Sequence, residues 1–514
     1  MSISSFHYSY IKNFPRWTLC SDVLEGEDVV KSKNTTYLPL PLSMTATEYA
    51  AYKQRAAFVN YTGRARDAMV GLVGRKKPTF NAPQKIKEYA KDITTTGLSL
   101  DSFALSTLKD LLRTGRGGIL VEYPTLPDGE LSIQDVEDLG LRPYFVYFRA
   151  EDILDWRTGI VKGKKVLTYI KLREFYEDYD PKDPYSVVSM QKVRILRLNE
   201  EGKCIFELFE AKSALTPNFS DIDLAPIMGS EDPILYSQGE PLDYIPFVPL
   251  GPWELSIEVQ RPPLLDMAWV NIHHYCASAD RNHAIHWADV PTPVIVGSLG
   301  LDKDGNPITS IKLGPTSAIN IQDSNGDAKF LEITGNGINP TKELMEEYEK
   351  QMSVLGNKIL ATDSRSSEAA ETAAIHRAGE QAVLATMANV LSEGITIALY
   401  MLSDRAGEDG YIYYHLSTDY IPNSMDSQTL IALIKAVIAG KISDKEFFDA
   451  IVAGELVRQD KTFEEHQKEL AEMPKPAIAS TDGPGTDETK EGQEQKELTS
   501  VGISMADMDA VATT

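Results

Sequence analysis

Two long helical patterns between Pro340 and Arg405 constrain the fold of this chain more than any other stretch. Apolar residues recur at helical spacing in both, and this spacing is typical of amphipathic helices. The first stripe contains Leu344, Tyr348, Met352, Leu355 and Ile359, and the second contains Ile375, Leu384, Met387, Leu391, Ile395, Leu399 and Leu402. The polar segment 361–367 separates them, so we predict a helical hairpin.

The start of the first helix is predicted from proline and acidic residues. Pro340 suits the first turn, where its missing N–H costs nothing. Four acids follow it, and we expect them near the helix start, where the helix dipole favours negative charge: Glu343, Glu346, Glu347 and Glu349.

Composition excludes several classes of protein. At 514 residues and 42% hydrophobic content, the chain can bury a sizeable core and form two to four domains. The 75 acidic and 51 basic residues give a formal charge of −24, which disfavours tight DNA binding. Residues 473–514, with three basic and eight acidic residues, are predicted to be disordered. The remaining −19 belongs to the folded part.

Cysteine usage and the N-terminus indicate a reducing compartment. Cys20, Cys204 and Cys276 are widely spaced and form no CxxC, so neither a disulfide framework nor a zinc site is supported. No basic segment followed by an apolar run begins the chain, and no eighteen apolar residues are consecutive. We expect a soluble, unsecreted protein with no membrane segment.

The N-terminal third predicts helices followed by a buried strand. Thr45 and Glu48 suit a capping box for one or two helices reaching Val73. A further helix is predicted over Leu100–Thr114, opened by Ser99 or Asp101 and closed at Gly115. The glycines of 115–118 precede a strand pattern, whereas a phosphate-binding loop needs the opposite order. They are therefore interpreted as a helix C-cap. The basic run 75–77 is interpreted as a solvated helix end.

Residues 142–250 predict a β-rich domain of four or more strands, because short alternating or β-branched runs are separated by turn sequences. Glu151, Asp152 and Asp155 lie near Trp156 and resemble paired catalytic carboxylates. Spacing alone is a weak argument for catalysis, and a turn or helix cap is the preferred interpretation.

A long helix predicted over 263–288 carries a set of metal-ligating residue types: His273, His274, Cys276, Asp280, His283 and His286. Cys276, Asp280 and His283 share one helix face, which is compatible with a metal site. No HExxH is present, so packing is the preferred interpretation. A metal-dependent hydrolase using Asp280 with His273 or His283 stays as an alternative.

A small β unit is predicted between the long helices, over 293–334. Its DKDGN sequence resembles a calcium loop, but Leu313 occupies the position that requires glutamate, so a hairpin turn at Asp304 and Gly305 is preferred. Further on, YIYYHL predicts a strand after Gly410. Two short helices joined at Gly440 follow, with Ser443 as a cap.

Five segments, taken in order, resemble portal proteins of tailed double-stranded DNA bacteriophages, and in particular a divergent portal-like family first described as a domain of unknown function. They are YLPLP (37–41), EYAAYKQRAAFVNYTGRARDAMVGLVGRKKP (48–78), RPYFVYFRAEDILDWR (142–157), PLLDMAWVNIHHYCASADRNHAIHWADVPTPVIVG (263–297) and ETAAIHRAGEQAVLATMANVLSEGITIAL (371–399).

The resemblance implies an α+β portal fold with a wing, a stem of long helices, a small β-containing clip and a helical crown. Mapped onto this chain, these parts are the wing (1–262, β-rich over 142–250), stem helix (263–288), clip (289–339), second stem helix (340–360), tunnel loop (361–369), long helix returning to the wing (370–424), crown (425–472) and disordered acidic tail (473–514).

The resemblance also implies a function without catalysis, cofactor or metal. It predicts a homo-oligomeric ring, usually of twelve subunits, at the portal vertex of the virion, assembled in the cytoplasm of the host bacterium. Implied partners are terminase, a head-completion or adaptor protein, major capsid and scaffolding proteins, and double-stranded DNA passing without sequence specificity; no membrane is implied. The chain has no GxxxxGK[ST] nucleotide-binding loop, which agrees with the expectation of a function without catalysis. Another capsid or adaptor protein is the remaining alternative.

Two groups of residues are candidates for contacts with these partners. The tunnel-loop group, in which Arg365 is the only cation and a candidate contact to the DNA backbone, comprises Asp363, Ser364, Arg365, Ser366 and Ser367. The clip group, a candidate docking site for terminase and adaptor, comprises Asp302, Lys303, Asp304, Asp323 and Asn325.

Overall fold

The computed structural model contains helices and small sheets in a mixed α/β arrangement and divides into two units, Met1–Thr418 and Asp419–Thr514. The residues that it describes are 5–124, 139–180, 183–211, 224–226, 234, 240–289, 292–297, 299, 321, 325–331, 338–356, 370–420, 427–439, 441–454, 456–457 and 461–472.

Six α-helices precede the first large sheet: α1 (Tyr8–Glu25), α2 (Glu27–Ser32), α3 (Ala46–Arg55), α4 (Tyr61–Val73), α5 (Gln84–Tyr89) and α6 (Leu100–Thr114). The capping box of Thr45 and Glu48 is present at the start of α3. Ser99 caps α6, and Gly115 ends it with a φ of +68°, so these predictions are confirmed. Helix α1 was not predicted; it contains Pro15, a residue that normally interrupts a helical pattern.

The strands of the first unit form two larger antiparallel sheets. One has the order β3 (Tyr144–Arg149), β2 (Gly117–Glu122), β9 (Phe247–Leu250). The other has the order β4 (Ile153–Val161), β5 (Lys164–Asp180), β6 (Asp183–Leu198), β7 (Cys204–Ala211), β8 (Leu224–Pro226). The prediction of four or more strands over 142–250 is confirmed by β3 to β9. These strands belong to two sheets, because β3 and β9 pair with β2, which lies outside that range.

The main core joins α1 to both sheets. Trp17 from α1 packs in one cluster with Trp156 of β4, Leu120 of β2 and Leu196 of β6, and all four are buried. A second cluster joins α1 and α3 to the long helix that follows β9, through Val23, Tyr52 and Tyr275 among others. Leu265, the first residue of this helix, belongs to the second cluster, so burial there fixes where the long helix begins.

Two long helices flank a strand pair, as predicted. They are α7 (Leu265–Asp289), β10 (Thr292–Val296), β11 (Asp327–Leu331) and α8 (Ile338–Leu355). Strands β10 and β11 are antiparallel, with Thr292 opposite Leu331 and Val296 opposite Asp327. The 25 residues of α7 span about 37 Å at 1.5 Å per residue.

Two predictions for α8 were wrong in detail. The helix begins at Ile338, two residues before Pro340, so none of its acids lies in the first turn and the dipole argument does not apply to them. Of the predicted apolar stripe, Met352 is buried, whereas Leu344 and Leu355 are exposed in the described structure and Ile359 lies outside the described residues.

Helix α9 (Ala370–Ala406) is the longest in the described structure, and its predicted stripe is buried from Leu384 to Leu402. The short strand β12 (Tyr413–His415) pairs on one side with β1 (Thr79–Asn81). On its other side, three hydroxyls one turn apart on α9 face this segment. Ser392 accepts from the Leu416 amide, and Tyr400 accepts from the Ile412 amide. Thr396 donates to the Tyr414 carbonyl and accepts from the Tyr414 amide. These hydroxyls satisfy backbone groups that a neighbouring strand would otherwise satisfy.

Residues Val383–Ala406 of α9 are long and apolar enough to cross a membrane, although half of the qualifying stretch is buried within the structure. Single polar residues such as Ser392 and Glu393 interrupt this stretch, so it contains no run of eighteen consecutive apolar residues.

The described residues of the second unit form three helices: α10 (Ser427–Ile438), α11 (Asp444–Ala453) and α12 (Phe463–Glu472). The predicted cap at Ser443 is present and forms a capping box with Glu446. Phe448 of α11 packs against Phe463 of α12, a helix that was not predicted. Gly440 and the tail 473–514 lie outside the described residues.

Candidate functional site

The long helices α7 and α8 are joined to α4 by one polar group, Glu349. The Glu349 carboxylate accepts a hydrogen bond of 2.9 Å from the Tyr61 hydroxyl of α4. The same oxygen lies 3.3 Å from Nε2 of His274 on α7. The Tyr61 and His274 rings contact edge to face at 5.4 Å. Three helices that are far apart in sequence therefore meet at one carboxylate.

Burial determines the protonation of this junction. It lowers the pKa of His274, although the charge and hydrogen bond of Glu349 oppose this shift. Burial, together with the hydrogen bond to Glu349, raises the pKa of Tyr61 to about 12. At neutral pH a neutral imidazole and a neutral phenol thus surround the carboxylate.

A stripe of polar side chains on α7 holds the connection between α3 and α4. Asn271 accepts from the amide and hydroxyl of Thr62 and donates to the Val59 carbonyl. Two and three turns further along, Ser278 accepts from the Ala57 amide and Asn282 donates to the Arg55 carbonyl. These residues satisfy backbone groups of residues 55–62 and fix α7 against the N-terminal helices.

The predicted metal-ligating residues of α7 contact other partners. Asp280 accepts a 2.6 Å hydrogen bond from the Tyr52 hydroxyl, and the Cys276 thiol donates to the Tyr37 carbonyl. Burial raises the pKa of Cys276 to about 11. His283 accepts from the Trp287 indole N–H. Within the described part of the chain, no three His, Cys, Asp or Glu residues lie close enough to hold a metal ion.

Four of the five predicted clip residues lie outside the described residues: Asp302, Lys303, Asp304 and Asp323. Asn325 is described and is exposed, in a turn just before β11. The strand pair β10–β11 therefore presents Asn325 to solvent. The tunnel-loop candidates Asp363, Ser364, Arg365, Ser366 and Ser367 also lie outside the described residues, as do the hairpin turn at Asp304 and the remaining strands predicted for this β unit.

The carboxylates near Trp156 take part in ion pairs. Glu151 and Asp152 lie in a short 3₁₀ turn, as preferred from sequence. Arg113 of α6 binds Glu151 with two guanidinium nitrogens and lies 2.6 Å from Asp110. Asp152 pairs with Arg173 at 3.0 Å. Asp155 accepts from the Trp156 amide. Glu151 and Asp152 therefore have ion-pair partners that spacing could not identify.

Sequence reasoning missed the two groups that organise these contacts, Glu349 and Arg113. Glu349 was interpreted only through the helix dipole, and Arg113 was not singled out. A helix-periodicity argument places Glu349 one residue from the stripe residue Tyr348, which would have put it beside the helix face that packs on α7. Its partners come from segments 75 and 288 residues away, and periodicity carries no information about them.

Comparisons with known proteins match part of this region. The family model described as "Domain of unknown function (DUF4055)" matches residues 263–404, which contain α7, β10, β11, α8 and most of α9. No curated protein matches the chain.

Two solved structures share limited similarity with the chain. One is the virion of a native gene transfer agent (GTA) particle, with a TM-score of 0.38 and 12% identity, covering 83% of this chain and 98% of that chain. The other is the neck of an empty GTA particle computed with C6 symmetry, with a TM-score of 0.38 and 12% identity, covering 84% and 98%.

Proposed function

We propose that this protein is the portal subunit of a tailed-phage-like particle. It forms a ring at one capsid vertex through which double-stranded DNA enters and leaves. The observation that carries the proposal is the element order of α7, β10, β11 and α8, in which a small antiparallel strand pair is inserted between two long helices that contact each other. The sequence resemblance to portal proteins assigns these elements to the stem and clip.

The acidity of the chain favours a channel through which DNA moves and disfavours a protein that binds DNA tightly. Helix α8 carries exposed acids, among them Glu343, Glu346 and Glu347, and the whole chain is strongly acidic. Lys and Arg side chains that neutralise phosphates would hold DNA tightly, whereas an acidic wall repels it. In this proposal, terminase docks at the clip during packaging and an adaptor protein replaces it afterwards.

The proposal assigns no catalytic step to this chain. The sequence has no Walker A loop, so a separate motor supplies the energy for translocation. The Tyr61–Glu349–His274 contact has a mechanical role in this scheme, since it holds the two stem helices against α4 while DNA passes.

Electron microscopy of the purified full-length protein tests the proposal. Closed rings with a central channel are expected, and their subunit number can be counted directly. Monomers at every salt concentration tried, with capsid partners absent, would contradict the portal assignment. Particle copy number separates a portal from another capsid or adaptor protein, because a portal ring occurs at one vertex only.

A further inference from the structure

The five-stranded sheet extends into a two-stranded arm. Strand β5 pairs with β4 only as far as Leu172, and β6 pairs with β7 only from Lys192 onward. Beyond them, the described residues 174–180 and 183–191 pair only with each other. Seven strand residues extend about 23 Å, so the arm projects well past the body of the sheet.

This arm exposes apolar side chains. Phe175 is 51% exposed, Val187 is 53% exposed and Tyr185 is 95% exposed. In the strand register, Tyr179 lies opposite Val187 and Phe175 opposite Gln191, so Phe175 and Val187 occupy the same face of the arm. A two-stranded ribbon is marginally stable in water on its own, and strands with open edges readily accept a further surface. The arm therefore has the character of a docking element.

A cleft of about 730 Å³ lies at the opposite end of the same strands. Its basic wall consists of Lys162, Lys164 and Lys165 at the β4–β5 turn and Lys203 at the β6–β7 turn. Phe247 and Ile257 are among its apolar lining residues. Three acids, Glu201, Asp243 and Glu258, also line the cleft, and Lys162 lies 3.5 Å from Asp243.

The arm and the cleft are complementary in charge and polarity. Residues 174–191 contain five acids, of which Glu174 pairs with Arg194, and one lysine. Glu177 is exposed beside Phe175 on the arm. The cleft combines four lysines and three acids with an apolar lining, in a chain whose formal charge is −24. An acidic segment with exposed aromatic and aliphatic side chains is the kind of partner that such a cleft fits.

We propose that the arm of one subunit docks into the cleft of a second copy of this chain. Residues 164 and 177 of β5 are about 43 Å apart, so the arm cannot reach the cleft of its own subunit. A contact between opposite ends of identical molecules is heterologous, and such contacts generate rings when the rotation closes. This inference rests on the proposed function, since it assigns an interface of the proposed ring.

Cysteine cross-linking tests the contact directly. A Ser189→Cys/Lys164→Cys variant joins an exposed arm position to the cleft wall, and oxidation is expected to give a ladder of covalent multimers on a denaturing gel without reductant. The distance within one chain excludes an intramolecular bond between these positions. Ser189→Cys/Lys91→Cys, with an exposed lysine that does not line the cleft, is the matched control and is expected to give no ladder beyond dimers.

Charge reversal supplies an independent measurement. Lys164→Glu/Lys165→Glu is expected to raise the protein concentration needed for assembly at least tenfold. Adding Glu177→Lys to this variant is expected to restore most of the lost assembly. Tyr185→Ser/Val187→Ser is expected to weaken assembly similarly, whereas Tyr8→Ser, at an exposed tyrosine of α1, is the control and leaves it unchanged. Native mass spectrometry measures the populations of monomers and oligomers for each variant.

The outcomes separate this inference from the proposed function. Rings in which no ladder forms and every variant assembles like the parent protein would overturn the arm–cleft interface and leave the portal assignment intact. A protein that stays monomeric at all concentrations and salts, with no ladder, would overturn both.

Discussion

Ion pairs act at the scale of single residues, and the partly buried group around Arg113 is an example. Arg113 binds Glu151 and Asp110, and Asp110 accepts a 2.8 Å hydrogen bond from Tyr147. Burial and the neighbouring Asp110 raise the pKa of Tyr147 well above its ordinary value. Burial also raises the pKa of Asp110, against the opposing charge of Arg113.

Removing the arginine leaves two carboxylates without their cation. We expect Arg113→Met to lower the free energy of unfolding by about 3–5 kcal/mol, the usual cost of breaking a buried pair from one side. Urea unfolding followed by circular dichroism measures this change. A triple variant that adds Asp110→Asn and Glu151→Gln should recover part of the loss. Equal stability of Arg113→Met and the parent protein would show that the pairs contribute nothing.

His274 makes the stability of the first unit depend on pH. Its pKa is lowered from 6.5 in the folded protein, so the unfolded chain binds a proton more readily. The neutral imidazole therefore stabilises the fold above pH 6.5, and this stability is lost as the pH falls through the lowered folded pKa. We expect the melting temperature of the parent protein to fall over this window, and that of His274→Gln to fall less.

The contributions of other histidines do not obscure this comparison. His7 and His283 also have lowered pKa values, caused mainly by burial, and both are present in the parent and the variant. The difference between the two proteins thus reports His274 alone. If the melting temperatures of the two proteins change equally from pH 7.5 to 5, protonation of His274 does not contribute to the pH dependence of stability.

Helix termini decide how elements meet, and the end of α6 is the clearest case. Gly115 has a φ of +68°, and a Cβ there would lie 2.8 Å from the carbonyl oxygen of Arg261. Gly97 has a φ of +87°, but a Cβ there would meet nothing within 4 Å. Both glycines occupy the left-handed region, and only Gly115 is also confined by backbone.

The two glycines therefore give a matched pair of substitutions. Gly97→Ala is expected to cost about 1–2 kcal/mol, from the left-handed conformation alone. Gly115→Ala is expected to cost clearly more, because the chain at Arg261 and Pro262, just before α7, must also move. Thermal unfolding of both variants checks the difference. Equal losses would show that this contact relaxes without cost.

The acidity of the whole molecule bears on how the proposed ring treats DNA. The formal charge of −24 per chain opposes adhesion of DNA to an assembled channel. In such an acidic channel, a single arginine on a loop can make a strong contact to the DNA phosphates. Arg365 is the only cation in the segment 361–369 that the portal resemblance assigns to the tunnel loop.

We expect Arg365→Ala to reduce DNA packaging or retention while leaving ring assembly unchanged. Arg365→Lys keeps the charge and should preserve most of the function, so it serves as the control. Packaged DNA per particle, measured by nuclease protection, gives the readout, and electron microscopy gives the ring count. A particle that packages and retains DNA normally with Arg365→Ala would refute the role.

Local signals in the sequence determined much of the secondary structure. The cap residues Thr45, Ser99 and Ser443 and the terminator Gly115 act on the nearest turn of backbone, so they are readable without the fold. The stripe from Leu384 to Leu402 likewise predicted the buried face of α9, because helical periodicity and burial coincide there. The two long helices flanking a β unit were visible for the same reason.

Tertiary structure alone decided which distant groups meet. Leu344 and Leu355 have the periodicity of a core stripe but are exposed, whereas Tyr348 and Glu349 contact His273 and His274 of α7. The metal-like set on α7 forms hydrogen bonds with Tyr37, Tyr52 and Trp287 instead. Hydrogen bonds and burial depend on positions in space, and spacing along one helix determines only which residues share a face.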